Sequence, residues 1–153
     1  MDGAGNNSTK EKLGVVAEKL VFDLLYKDKG IKSLKWVSKN ASKINANHEG
    51  YNPEGDDKFG YDLEYLDEEG NKILVEVKGR AGNENSFIVT KNELKVAFSN
   101  KENYRLIFVN NVFDNVNRSF RNLQNPFLIE DGQDFMNNEK FIAINNNYEI
   151  SFK

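Results

Sequence analysis

Two runs of alternating polarity, YDLEYL (61–66) and KILVEVKG (72–79), flank the pentapeptide DEEGN. Together they constrain the chain more than any other feature. Side chains alternate along a strand, so Ile73, Val75 and Val77 point one way while Glu76 and Lys78 point the other, about 7 Å apart. Gly70 can take the positive φ that a hairpin loop needs. If the hairpin is symmetric about Glu69, Leu66 faces Lys72, Tyr65 faces Ile73, Leu63 faces Val75, Tyr61 faces Val77 and Asp62 faces Glu76. That register gathers Tyr61, Leu63, Tyr65, Ile73, Val75 and Val77 on one apolar face, and a one-residue slip would scatter them.

The other face then holds two acids, Asp62 and Glu76, with Cβ atoms roughly 5 Å apart, a pairing that is destabilising across strands. A shared proton would relieve it by raising one pKa. A hard divalent cation would relieve it better and keep both groups ionised. Lys78 is placed at the rim of such a site, where an ammonium can orient water or stabilise charge on a phosphate. Glu-x-Lys alone is ordinary on a half-exposed strand; the facing aspartate makes this one unusual.

Upstream, STKE (8–11) supplies a capping box, so a helix is expected from Ser8 to about Lys29, with residues 1–7 as a flexible tail. Leu13, Val16, Ala17, Leu20, Val21, Leu24 and Leu25 form its buried stripe, with Glu18 at the border. SLKWVS is a short strand, with Trp36 expected in the core. The polar stretch from Asn40 to Phe59, which holds the only histidine, His48, reads as a long loop and a possible substrate-facing flap. Downstream, Phe87 to Val89 should be extended. Thr90 and Glu93 form a second capping box, opening a helix with Leu94, Ala97 and Phe98 inward. YRLIFVNNV is apolar enough for a central strand. Arg118 to Leu123 reads as a helical turn, and KFIAI and YEISF as a hairpin. The order is helix, three strands, helix, strand, then a C-terminal appendage (113–153), which describes a single α/β domain around a mixed sheet.

Composition narrows the function classes. The 153 residues include no cysteine, which excludes disulfides and thiolate metal sites and fits a reducing, intracellular setting. No apolar run approaches the ~18 residues of a membrane span, and MDGAGNNST lacks the basic and apolar regions of a secretory signal. The net charge of −3 does not advertise a nucleic-acid binder. Basic residues do cluster locally, at Lys27, Lys29, Lys32, Lys35, Lys39 and Lys43, and at Arg118 and Arg121, although a solvated face explains either group.

The run GYDLEYLDEEGNKILVEVKG, preceded by GVVAEKLVFDLL and LKWVSK and followed by FIVTKNELKVAFSNKENYRLIFV, resembles the domain family found at the C-terminus of the plant protein NO VEIN. That family in turn looks like a branch of the PD-(D/E)XK nuclease superfamily. The resemblance covers roughly Leu13 to Val112. It implies a restriction-endonuclease-like sandwich, an αβββαβ core with a C-terminal β extension. It also implies metal-dependent hydrolysis of phosphodiesters, with Mg2+ (or Mn2+) as cofactor and DNA as the expected substrate. By the same resemblance Asp62 and Glu76 are the metal-binding acids, the Val77 carbonyl is a further ligand, Lys78 is the motif lysine, and Glu18 helps with the metal or its water. Lys91, Asn92 and Lys95 could approach a phosphate backbone, although ordinary surface residues explain them equally well, and Thr90 reads as a cap. The alternative is a catalytically silent module of the same fold that binds nucleic acid or a protein partner; a partner domain or homodimer is compatible with both. The segment 40–59 is longer than in such relatives.

Overall fold

The computed structural model describes residues 3–43, 59–144 and 148–153, with the side chains of 3–8 left aside. The elements are α1 (Gly3–Tyr26), β1 (Lys32–Trp36), a 3-10 turn (Lys39–Lys43), β2 (Leu63–Leu66), β3 (Lys72–Gly79), β4 (Ser86–Ile88), α2 (Lys91–Asn100), β5 (Tyr104–Asn110), β6 (Ser119–Asn122), β7 (Phe141–Ile144) and β8 (Glu149–Phe152). A five-stranded mixed sheet runs β1-β2-β3-β5-β6 and a smaller sheet runs β4-β8-β7. Only β3 and β5 are parallel among the pairs of the larger sheet, and the β4–α2 crossover between them makes that geometry possible. The fold class is α/β, as expected.

The hairpin register holds where it is paired, with Leu66 opposite Lys72, Tyr65 opposite Ile73 and Leu63 opposite Val75. Gly70 has φ +83° in its turn, and Asp67 Oδ1 accepts the N–H groups of Glu69 and Asn71. The strand stops at Leu63, however. Tyr61 therefore leaves the expected apolar face and packs with the opposite core cluster.

Two cores sandwich the large sheet. On one side α1 buries Ala17, Val21 and Phe22 against Leu63, Ile73, Val75 and Val77. Gly79 permits that approach, because a Cβ there would lie 2.6 Å from Ala17 Cβ. On the other side Leu74, Leu106 and Phe108 meet Leu94 and Ala97 of α2 and Phe127, Phe141 and Ile150 of the C-terminal segment. That segment closes the second core: β8 pairs with β4 as well as β7, which bears out the expected β7–β8 hairpin.

Four expectations change. Helix α1 begins at Gly3, so residues 3–7 are helical and Ser8 lies within the helix; Gly3, Gly5, Asn6 and Asn7 are poor helix formers, but no proline forbids the turn from extending past the box. Within α1, Phe22 is buried and Leu24 is 46% exposed, which rotates the inward stripe toward Glu18, one turn before Phe22. Phe98 is also 46% exposed, since α2 seats on Leu94 and Ala97. Finally, Ser119–Asn122 is the edge strand β6, paired with β5, and no helical turn forms there. Of the expected 40–59 loop, Asn40–Lys43 belong to the 3-10 turn, while His48 lies outside the described residues.

Candidate functional site

Asp62 sits where β2 leaves the ladder, and hydrogen bonds fix it on every side. Its N–H donates to Val75 O (2.8 Å), and its carbonyl accepts from the N–H groups of Val37 (2.8 Å) and Ser38 (3.3 Å). Its carboxylate Oδ2 accepts from the Val77 N–H at 2.8 Å, taking the place a ladder carbonyl would fill. The aspartate is thus clamped between β1 and β3 at the wall of a cleft.

Glu76 and Lys78 lie on the α2 face of β3, as alternation requires. Lys78 Nζ stands 3.3 Å from Glu76 Oε1 and 2.9 Å from Glu93 Oε1. All three side chains are largely shielded, at 5% exposure for Glu76, 16% for Lys78 and 15% for Glu93. Asp62, Glu76, Thr90, Asn92 and Glu93 line a cleft of about 410 Å³, together with Gly60 and Tyr61.

The electrostatics follow from burial of like charges. Burial raises the Asp62 carboxyl well above the usual carboxylate range and the charge of Glu18 adds to this, while the Val77 N–H and Lys78 pull it down. Glu76 is also raised well above that range, first by burial and then by Asp62, with Lys78 opposing. Burial by itself would lower the Lys78 ammonium, but the carboxylates of Glu76 and Glu93 outweigh it and raise its pKa. One ammonium therefore faces Glu76 and Glu93 directly and Asp62 at longer range, and the excess of carboxyl groups over cations favours keeping protons on Asp62 and Glu76 when no cation is bound.

Glu18 is buried on α1 and within electrostatic reach of Asp62. Its carboxylate accepts from Trp36 Nε1 at 3.1 Å and, over short contacts, from Ser38 Oγ and Asn40 Nδ2. Trp36 is core, as expected, and stacks on Phe22. Thr90 caps α2, with Oγ1 accepting from the Glu93 N–H. Lys91 and Lys95 are exposed on α2. The six clustered lysines of residues 27–43 are all exposed. The two C-terminal arginines are committed locally: Arg118 donates to Val112 O and Asn115, and Arg121 donates to Asn85 and Asn110 while lying over the Phe108 ring. Glu93 is the residue that the spacing of Asp62, Glu76 and Lys78 does not reveal. Its signal lies in the second capping box, which places a carboxylate at the start of α2, beside the end of β3.

The family model described as Protein NO VEIN, C-terminal, matches residues 17–122. The chain belongs to this family. The matched span runs from α1 to β6 and contains Glu18, Asp62, Glu76, Lys78 and Glu93. Comparison with curated proteins and with solved structures gave no match. Among the described residues no group of three or more His, Cys, Asp or Glu side chains is arranged to hold a metal ion, and no helix is long and apolar enough to cross a membrane.

Proposed function

We propose that this chain is a metal-dependent nuclease of the PD-(D/E)XK type, with the restriction-endonuclease-like sandwich as its fold and DNA as its substrate. The observation that carries this reading is the grouping of Asp62 and Glu76 on the wall of one cleft, with the Lys78 ammonium 3.3 Å from Glu76 and fewer cations than acids to balance them. A phosphodiester would be repelled by such a cleft unless a further positive charge entered first.

The donor set fits a hard cation. Asp62 and Glu76 offer oxygen ligands, and burial and mutual repulsion raise their pKa values, so Mg2+ or Mn2+ would stabilise the ionised forms that the metal-free site disfavours. Magnesium is commonly held by one or two carboxylates with the remaining positions left to water and substrate, so a two-acid site suffices. Asp62 and Glu76 would hold the ion, with the Val77 carbonyl as a further oxygen. When bound, the ion supplies polarisation of the phosphate and a water of lowered pKa.

The chain's own groups do the rest. Asp62, held by the Val77 N–H and by both neighbouring strands, is fixed in place at the cleft wall. Lys78 orients the attacking water or offsets charge that grows on the phosphate oxygens. Glu18, locked by Trp36 and Ser38, reinforces the negative field at Asp62 and so favours cation uptake.

The test is incubation of the pure protein with plasmid, single-stranded DNA and RNA in Mg2+ or Mn2+, beside Glu76→Ala and Lys78→Ala. Cleavage by wild type that disappears in both variants supports the enzyme. Equal traces for all three point instead to the silent binding module, a reading favoured by the net charge of −3.

A further inference from the structure

The capping box of α2 does two jobs at once. Glu93 Oε1 accepts the Thr90 N–H at 3.0 Å, as a capping glutamate does, and the same oxygen receives Lys78 Nζ at 2.9 Å. The contact to Glu93 is shorter than the 3.3 Å that separates Lys78 from Glu76, its neighbour on the strand. A lysine side chain with four rotatable bonds would otherwise lose its orientation to solvent, and holding it costs entropy unless a partner is already fixed. Here the partner is fixed, because Glu93 is itself anchored to the helix start, with its N–H donating to Thr90 Oγ1 at 3.1 Å.

We infer that Glu93 is the positioning residue for Lys78: the α2 cap holds the ammonium against Glu93 and Glu76, two carboxylates that line the cleft, and the helix start thereby sets where that positive charge sits. This rests on the nuclease reading for its kinetic consequence, but not for its structural one. If Lys78 were held by Glu76 alone, the ammonium would lie against the acid expected to take the cation, and cation entry would compete with it. With Glu93 as second anchor, Lys78 keeps a partner when Glu76 turns to the ion.

A purely structural cap makes different demands from a positioning residue. Glutamine serves a capping box as well as glutamate does, so a cap alone predicts that Glu93→Gln behaves as wild type. It also predicts that Glu93→Ala behaves like any equal destabilisation of α2. Ala97→Gly supplies that comparison, since it weakens the helix at a buried position away from the cleft.

The experiment measures DNA cleavage in Mg2+ together with the Lys78 side-chain ammonium by 1H–15N NMR, for wild type, Glu93→Gln, Glu93→Ala and Ala97→Gly. The expected result is a kcat lowered about 10- to 100-fold in Glu93→Ala with KM within about two-fold. Glu93→Gln should be intermediate and Ala97→Gly near wild type. The protected ammonium signal should persist in Ala97→Gly and vanish into solvent exchange in Glu93→Ala. An ammonium signal unchanged in Glu93→Ala overturns the inference, as does a Glu93→Ala kcat equal to that of Ala97→Gly. If wild type cleaves nothing, the nuclease reading fails, and the NMR comparison still decides whether Glu93 holds Lys78.

Discussion

Strand β3 presents two faces that are almost equally buried and differently stabilised. Toward α1 it shows Ile73, Val75 and Val77, sealed by Ala17, Val21 and Phe22. Toward α2 it shows Leu74, Glu76 and Lys78, where Glu76 is 4% exposed and the neighbouring Val77 on the far face is 7%. Removal of apolar surface from water stabilises the first face outright. The second gains little from burial, because desolvating a carboxylate costs several kcal/mol that an ion pair repays only in good geometry. A fold that keeps such a face against the cost points to chemistry, and the two faces should respond in opposite directions to substitution.

The largest effect is expected on activity at the charged face. Glu76→Ala or Lys78→Ala should lower DNA cleavage by about 10²- to 10³-fold while leaving the far-UV circular dichroism unchanged, the magnitude typical of losing a principal electrostatic group. On the apolar face the loss is of stability: Ile73→Ala should cost about 2–5 kcal/mol in urea unfolding. Smaller, at about 1–3 kcal/mol, is Gly79→Ala, whose added methyl would meet Ala17 and push α1 off the sheet.

The contrast extends to pH. Asp62 and Glu76 have folded-state pKa values above their unfolded ones, so the folded protein holds protons that the unfolded chain has released. Their contribution is fully present below the ordinary carboxylate range and is lost as pH rises through the raised values. The metal-free protein should therefore melt at a lower temperature at pH 8 than at pH 5. Added Mg2+ should narrow that difference, since it binds the ionised folded form. Asp62→Asn, which can still accept the Val77 N–H, should raise metal-free stability at pH 8 by on the order of 1 kcal/mol while abolishing cleavage.

The smallest effect concerns Tyr104. Its hydroxyl is the one buried side-chain polar atom among the described residues with no hydrogen-bond partner, and burial together with Glu76, Glu93 and Asp62 raises its pKa. Tyr104→Phe should leave stability unchanged or raise it by up to about 1 kcal/mol in the same urea assay.

Where periodicity and turn chemistry agree, the chain can be read directly. The β2–β3 register, the Gly70 turn and the Thr90–Glu93 box all follow from local patterns, and they bring Glu76, Lys78 and the α2 start together. The positions that escaped depend on tertiary partners. Phe22 displaces Leu24 because Trp36 offers it a stacking surface. Tyr61 crosses to the second core because Asp62 gives its carboxylate, not its strand pairing, to Val77. Beyond Asn110 the code is carried by asparagines that replace regular pairing. Asn125 donates to Ala97 O and Lys101 O and accepts from the Phe127 N–H, while Asn138 accepts from the Lys140 and Phe141 N–H groups. Such bonds satisfy irregular backbone without leaving a repeat to recognise. Glu93 escaped for a related reason: its local role as a cap is complete in itself and gives no hint of a second partner fifteen residues upstream.

Calorimetric titration of Mn2+ into the metal-free protein tests most directly whether the charged face of β3 is a cation site. Saturable one-site binding in wild type that is lost in both Asp62→Asn and Glu76→Gln is the predicted result. Heats that are indistinguishable among the three proteins would contradict it.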